Sequence, residues 1–431
     1  MSFREYIQKL ENKKEITKIK KEVSKKLETS GIIHNAGFEP IYFENIKESK
    51  FAVAANIFPT KKHVAEAFEC TTSELIPKMI KAIENPTKPE IIKKGECFEE
   101  ELEVDLDKLP ILFHCEKDGG NYISSGVIIA KDSEHGQNMS FHRCMQLDKT
   151  KFSVRILQRH LNEFIEKNNG KLEIAMCVGN SPQVLLAGAI STNIGVNELE
   201  IANSLKPFKV SETSNGILIP SDTEFVLEGI LTNDLETEGP FVDLTETYDI
   251  VRKQRIFEVK RIRHRKKATW HGLLPGGFEH KILMGMPKEP TIFQEVNKVV
   301  KCLDVNINPG GCSWLHAIIK IKKQKKEDST KAIEAAFTGH KSLKHCFIVD
   351  EDIDIYNPEE VEWAMATRFQ ADKGIILKEN QKGSSLDPSA NPETRKTAKA
   401  GFDLTIQKLN KKEDFTKAKF PKFKLKDYLE E

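Results

Sequence analysis

The sequence predicts an α/β protein of the α+β multidomain kind, with an N-terminal α/β region over 1–108, a β-rich centre over 109–300 and a C-terminal α/β unit with its tail over 301–431. Three observations carry that expectation. Helical and strand-like apolar periodicities alternate through the first hundred residues and again past Pro290, the pattern of helices laid over a parallel or mixed sheet. Between these regions lie runs of four to eight β-favouring residues bounded by Gly, Asn, Asp and Pro, which read as short strands. Finally, 431 residues exceed what one core organises, since a domain holds roughly 100–200 residues.

Taken in order, Ser2 caps a first helix whose Phe3, Ile7 and Leu10 share a face, and 51–55 reads as a buried strand. A helical pattern spans 64–83 and ends at the Asn85-Pro86 breaker. In the centre, strands are expected at 125–130, 173–178, 184–189, 216–220, 225–231 and 256–262, with one or two helices inserted near 159–167. A barrel or a sandwich would suit them equally. Beyond Pro290 the order is helix 292–303, strand 316–321, helix 329–338, strand 345–349 and helix 358–367. The tail after Asn380, with Ser384, Ser385, Pro388, Ser389 and Pro392 close together, reads as an extended loop, either a linker or a segment reaching back over a site.

Composition excludes several functions. Charged residues make up 30% and apolar residues 39%, as in a packed core with a charged surface. The formal charge of +1, from 66 basic and 65 acidic residues, supplies no field for nucleic acid or an anionic membrane. The basic runs at 260–267 and 320–326 read as solvated strand ends or loops. No stretch approaches the roughly 18 apolar residues needed to cross a bilayer, and the N-terminus lacks the apolar core of a signal peptide, so a cytoplasmic location is expected. The eight cysteines show no Cys-x-x-Cys pair and read as reduced core residues.

Three short segments carry the chemistry: Asn138-Met-Ser-Phe-His-Arg143, Gly195-Val-Asn-Glu-Leu-Glu200 and Glu236-Thr-Glu-Gly-Pro-Phe-Val-Asp243. They supply one arginine, two carboxylates five residues apart and an Asn/Glu pair suited to a hard cation. On a strand, Asn138, Ser140 and His142 fall on one face and Arg143 on the other, unless a bulge rotates it. Glu238 and Asp243 flank a Gly-Pro turn that either aims both acids into a cleft or forms an acidic surface loop. Glu198 opens a helix, where a first-turn carboxylate also suits the helix dipole, and His160 reads as a capping, core or functional histidine. No P-loop, dinucleotide glycine fingerprint, His-Glu-x-x-His or Gly-x-Ser-x-Gly is present.

In their shared order, these segments resemble the UbiD family of prenylated-flavin decarboxylases over nearly the whole chain. The likeness runs through Asp118-Gly-Gly-Asn-Tyr-Ile, Asn138-x-Ser-x-x-Arg143, Gly195-Val-Asn-Glu198, Val226-Leu-Glu-Gly, Glu238-Gly-Pro-Phe-x-Asp243, Pro309-Gly-Gly-Cys-Ser, Val349-Asp-Glu-Asp-Ile-Asp354 and Trp363-Ala-Met-Ala-Thr-Arg368. The resemblance implies a central split β-barrel of the flavin-binding type. It implies Asn138, His160 and Glu198 as metal ligands or phosphate-side contacts, with Mn2+, or else Mg2+, as the divalent ion and K+ as a further ion. Arg143, Glu238 and Asp243 correspond to the catalytic network, while Ser140, Arg143, Arg159, His160, Ala189, Ile190 and Lys399 correspond to positions that line or hold prenylated FMN. Asp243 stands where some members have glutamate, and His142 is unusual for its position.

The implied reaction is non-oxidative decarboxylation of an α,β-unsaturated acid. Within the family the chain is similar to compact archaeal members of the modified mevalonate pathway. That similarity implies trans-anhydromevalonate 5-phosphate as substrate, isopentenyl phosphate as product and the basic segment 261–267 as a candidate for the substrate phosphate. An aromatic acid of the 4-hydroxybenzoate or polyprenyl-hydroxybenzoate type is the alternative substrate, and an inactive flavin-binding assembly partner the alternative of another class. The resemblance further implies a flavin prenyltransferase as cofactor supplier and a homo-oligomer, dimer or hexamer, formed through the C-terminal domain.

Overall fold

The computed structural model describes residues 1–407, 411–418, 420–424 and Tyr428. The first helix, Phe3–Lys13, begins as expected at Ser2, whose hydroxyl accepts from the Glu5 amide (3.1 Å) while the Glu5 carboxylate accepts from the Ser2 amide (2.7 Å). Phe3, Tyr6, Ile7 and Leu10 bury its apolar face. Ala52–Ala55 is the buried strand of a four-stranded sheet whose far edge, Thr269–His271, comes from the centre of the chain. The single helix expected over 64–83 is two, Lys61–Ala67 and Leu75–Glu84. Between them Glu69 adopts φ +56°, and the Thr71 amide and hydroxyl both donate to the Glu74 carboxylate at 2.7 Å. These local bonds compete with the helix and restart it.

The central sheet has nine strands. Its hydrogen-bonded order is Tyr122–Ile123, Cys144–Gln146, Lys151–Val154, Arg252–His264, Phe225–Glu238, Leu172–Val178, Val127–Asp132 and Gly136–Phe141, with Glu100–Leu102 added beside Arg252–His264. No ladder joins the two ends of this path among the described residues. Yet Ile123 connects to Val127, and Phe141 to Cys144, through links too short to span more than about 14 Å. The ends therefore lie side by side, and the sheet curls into an open barrel with a seam crossed twice by the chain. Its wall packs Ile128, Ile174, Met176, Phe225, Leu227 and Phe257 into one buried cluster.

One central expectation is overturned. Residues 184–189 form no strand but the helix Pro182–Ala189, buried over all but its last residue. A short, wholly apolar run has no periodicity to separate helix from strand, and the signal that decides here is Pro182 in the first turn.

The C-terminal sheet has five strands, ordered Cys302–Ile307, His316–Ile321, His345–Val349, Lys396–Asp403 and Ile375–Lys382. The helix expected over 292–303 is Glu289–Asn297, and its last stretch is instead the edge strand Cys302–Ile307, turned out by the Asn297 side chain accepting from the Cys302 amide (3.2 Å). The tail is more ordered than a loop. Lys396–Asp403 is an interior strand, parallel to His345–Val349 and antiparallel to Ile375–Lys382.

Candidate active site

The strand Gly136–Phe141 holds Asn138, Ser140 and the start of the seam. Ser140 Oγ lies 3.4 Å from Asn138 Oδ1 and 2.9 Å from His142 Nε2, so these three side chains do share a face. The His142 Nδ1–H donates to the Arg155 carbonyl (2.9 Å), which makes Nε2 the acceptor for Ser140 in the neutral ring. Burial pushes His142 down to about 4, so it is a neutral, positioning group at physiological pH. Arg143 turns to the other side of the link.

There its guanidinium meets three carboxylates. Nε and Nη2 form a bidentate pair with Glu238 (2.9 and 3.0 Å), Nη1 donates to Asp243 (2.8 Å) and Nη2 to Asp249 (2.8 Å). These bonds use four of its five N–H groups. Burial would lower the Arg143 pKa, but the three carboxylates outweigh it and push it up, fixing the charge. Glu238 is fully buried and also accepts from the Tyr122 hydroxyl (3.1 Å), whereas the Asp243 side chain keeps 14% exposure. For Asp249, burial is overcome by its bonds to Arg252 (2.6 and 2.8 Å) and by the charges of Arg143 and Arg252, which hold it well below the usual carboxylate range. Arg143 and Arg252 are bonded by three carboxylates, with the charge of Arg155 acting on the same group, so a proton on one acid would still leave both bonded cations paired by the other two.

The turn after Glu238 places the acids. Gly239, at φ +99°, donates its amide to the Tyr122 hydroxyl (3.0 Å), and the Gly119 amide donates to the Pro240 carbonyl (2.8 Å). Asp118 clamps the turn from below, accepting from the amides of Val242 (3.3 Å) and Cys115 (2.9 Å). Phe241 lies under Arg143, 4.6 Å from ring centroid to guanidinium carbon.

Across the seam, Glu198 opens the helix Glu198–Leu205 and is 2% exposed. Its carboxylate accepts from the Asn138 amide group (3.2 and 3.3 Å), the Met139 amide (2.8 Å) and the Thr192 hydroxyl (2.8 Å). All of these donors are neutral, and burial pushes the acid up to about 7. A buried carboxylate beside an amide oxygen, with no cation of its own among the described residues, fits the donor set of a hard divalent ion.

The other expected residues are more spread. Arg159 is the N-cap residue and His160 the first residue of the helix His160–Lys167, and neither side chain forms a hydrogen bond or ion pair among the described residues. Ala189 and Ile190 end the Pro182–Ala189 helix, directly before the Ser191–Thr192 stretch that reaches Glu198. Lys399 lies in the C-terminal sheet, donating to the Lys341 carbonyl (2.5 Å) and facing Phe337, so its placed contacts are with that domain. The arginines of the basic segment 261–267 are committed to carboxylates, Arg261 to Glu101 (3.2 Å), Arg263 to Glu228 (2.7 Å) and Arg265 to Glu224 (3.4 Å), while Lys266 and Lys267 form no ion pair among the described residues. Two residues escaped the sequence reading, Asp249 and Lys288. Asp249 had a faint signal in Arg252 three residues on; Lys288 had none among so many lysines.

An arginine buried among three acids at the seam of a flavin-type barrel defines an acid–base enzyme, and comparison with known proteins places it. The N-terminal, Rift-related and C-terminal domains of 3-octaprenyl-4-hydroxybenzoate carboxy-lyase match residues 7–83, 90–278 and 281–404. The chain belongs to the UbiD family and is a decarboxylase. It is 38% identical over 406 residues to the anhydromevalonate phosphate decarboxylase of Methanocaldococcus jannaschii, covering 92% of this chain and 96% of that protein. The protein of the same name from Methanosarcina mazei is 37% identical over 436 residues, covering 98% and 100%. Among solved structures, the UbiD-class enzyme HmfF from Pelotomaculum thermopropionicum in complex with FMN superposes with a TM-score of 0.95 at 33% identity over the full length of both chains. An evolved dimeric form of HmfF in complex with prFMN superposes at 0.91 with 31% identity, covering 99% and 100%.

Proposed function

We propose that this chain decarboxylates trans-anhydromevalonate 5-phosphate to isopentenyl phosphate and CO2, using prenylated FMN and a divalent metal. The carrying observation is the buried Arg143 network, which gathers Glu238, Asp243 and Asp249 around one guanidinium. The names of the relatives support the substrate, and the FMN and prFMN complexes of HmfF support the cofactor.

When bound, prenylated FMN supplies the electron sink for the pair left behind as CO2 departs. The chain's own residues do the rest. The remaining Nη1–H of Arg143 is available to orient the substrate carboxylate, while Glu238 and Asp249 keep the guanidinium fixed. Asp243, the more exposed of the two paired acids, holds the proton that its Oδ delivers to the product carbon. Asn138, Glu198 and His160 would hold Mn2+, or Mg2+ in its place, with K+ as a further ion. Ser140, Arg159, Ala189 and Ile190 would line the flavin, and Lys399 would need a change of contacts to join them. The same reading assigns the units 1–108, 109–300 and 301–431, a cytoplasmic homo-oligomer and a flavin prenyltransferase as supplier. No helix among the described residues is long and apolar enough to cross a membrane.

The test is mass spectrometry of the small molecule released after co-expression with the flavin prenyltransferase, with manganese quantified on the same sample and both acid classes assayed. Prenylated flavin, metal and turnover of the phosphorylated acid are expected. Turnover of an aromatic acid alone would replace the substrate, and a protein that takes up no flavin would remove the reading.

A further inference from the structure

Lys288 ends the short turn Met286–Lys288 and is 7% exposed, yet no carboxylate pairs with it among the described residues. Its ammonium donates to the Ala189 carbonyl (3.0 Å) and the Ser191 hydroxyl (2.6 Å), and it lies 5.8 Å from the Trp314 ring. Lys61 and Lys344, both little exposed, pair with Glu289 at 2.6 Å and Asp387 at 3.0 Å, and the buried Lys25 has Asp107, Glu48 and Asp105 near it, whereas Lys399 shares with Lys288 the lack of a carboxylate partner among the described residues. The charge acting on Lys288 is instead another cation, Arg159, whose own guanidinium has no partner among the described residues. Both cations act on His340, which stays neutral. An ammonium held out of water by neutral groups is costly unless an anion joins it.

Its place in the fold indicates which anion. Ala189 and Ser191 bracket Ile190, and the next residue, Thr192, bonds Glu198. The cation-free carboxylate and the carboxylate-free cation thus bond neighbouring residues of one short loop, Thr192 and Ser191, through separate contacts. We propose that Lys288, with Ser191 and Arg159 beside it, is a recognition site for a phosphomonoester dianion, the phosphate carried by the acid substrate. This rests on the proposed function, whose substrate is such an ester, and is preferred to the basic segment 261–267, whose arginines are already paired.

The test uses the reconstituted holoenzyme with Lys288→Met and Lys288→Arg. Calorimetry with isopentenyl phosphate and with inorganic phosphate reads binding directly, flavin absorbance reads cofactor retention, and turnover is compared for the phosphorylated acid and its dephosphorylated form. Lys288→Met is expected to weaken isopentenyl phosphate binding and raise KM for the phosphorylated acid by about 30-fold or more, collapsing selectivity between the two acids at unchanged flavin content. Lys288→Arg is expected to recover part of the affinity, and it carries the test if the methionine variant does not fold. Loss of flavin in step with the charge would assign Lys288 to the cofactor phosphate and overturn the inference, as would equal losses for both acids. Lysine-dependent phosphate binding in an enzyme that ignores the phosphorylated acid would keep the site and reject the proposed substrate. Phosphate binding independent of Lys288 would reject the site alone.

Discussion

At Arg143 the charge balance decides what each neighbouring acid can do. Glu238 is held in a bidentate pair and by a tyrosine hydroxyl, and Asp249 is shared with Arg252, which supports the proposed assignment of the proton-donor role to Asp243. Asp243→Asn keeps a hydrogen-bond acceptor for Arg143 but cannot hold an acidic proton. Decarboxylation is expected to fall by about 10²-fold or more with flavin still bound, and an active variant in a stopped assay would pass the role to Glu238. Glu198→Gln removes the buried charge while keeping its shape, so metal and flavin should leave together. Manganese content at the wild-type level would take Glu198 out of the ligand set. The two clusters of the candidate site, Asn138 with Glu198 and Arg143 with Glu238 and Asp243, were legible because these residues stand in motifs whose order carries information. Asp249 and Lys288 gain their contacts from the fold: Asp249 has only the faint sequence signal of Arg252 three residues on, and nothing along the chain sets Lys288 apart from surface lysines.

At the scale of elements, the Glu238–Asp243 turn owes its shape to a second loop rather than to its own bonds. A methyl group on Gly119 would meet the Gly239 carbonyl oxygen at 2.2 Å, backbone against backbone, with no flexible side chain to yield. Gly119→Ala should therefore displace the turn, lowering the thermal midpoint and cutting activity by more than tenfold. Wild-type melting and rates in that variant would mean that the loops are not coupled. Elements with periodic faces, such as Phe3–Lys13 or Asp328–Gly339, were readable from the sequence. Those that failed did so for different reasons: Pro182–Ala189 is buried and apolar on nearly every side, and the pattern expected as helix to 303 ends at Asn297, whose side chain accepts from the Cys302 amide where the edge strand begins. Lys396–Asp403 is lysine-rich at its start and gains its place in the sheet only from its partners on both sides.

For the whole molecule, buried histidines set a response to acid. Burial, aided by the charge of His280, pushes His114 down to about 3 against an ordinary value of 6.5. Between those values the unfolded chain binds a proton that the folded chain excludes. The contribution to stability is therefore fully present above pH 6.5 and is lost as the pH falls through the window, at about 1.4 kcal/mol per pH unit. Melting at pH 6 and pH 5 should show a steeper loss for the wild type than for His114→Gln, and equal slopes would mean that His114 is already protonated in the fold. The seam of the central sheet has a different consequence. Asn138 lies in the strand at one end of the path and Arg143 in the two-residue link, His142–Arg143, that leads to the strand Cys144–Gln146 near the other end, with Met139, Ser140, Phe141 and His142 between the two side chains. The link is thus a covalent gauge between the Asn138–Glu198 cluster and the Arg143 network, the sites proposed for the cation and for the proton. Side chains on either bank can drift under selection, but adding or deleting one residue between them would put the two sites out of step.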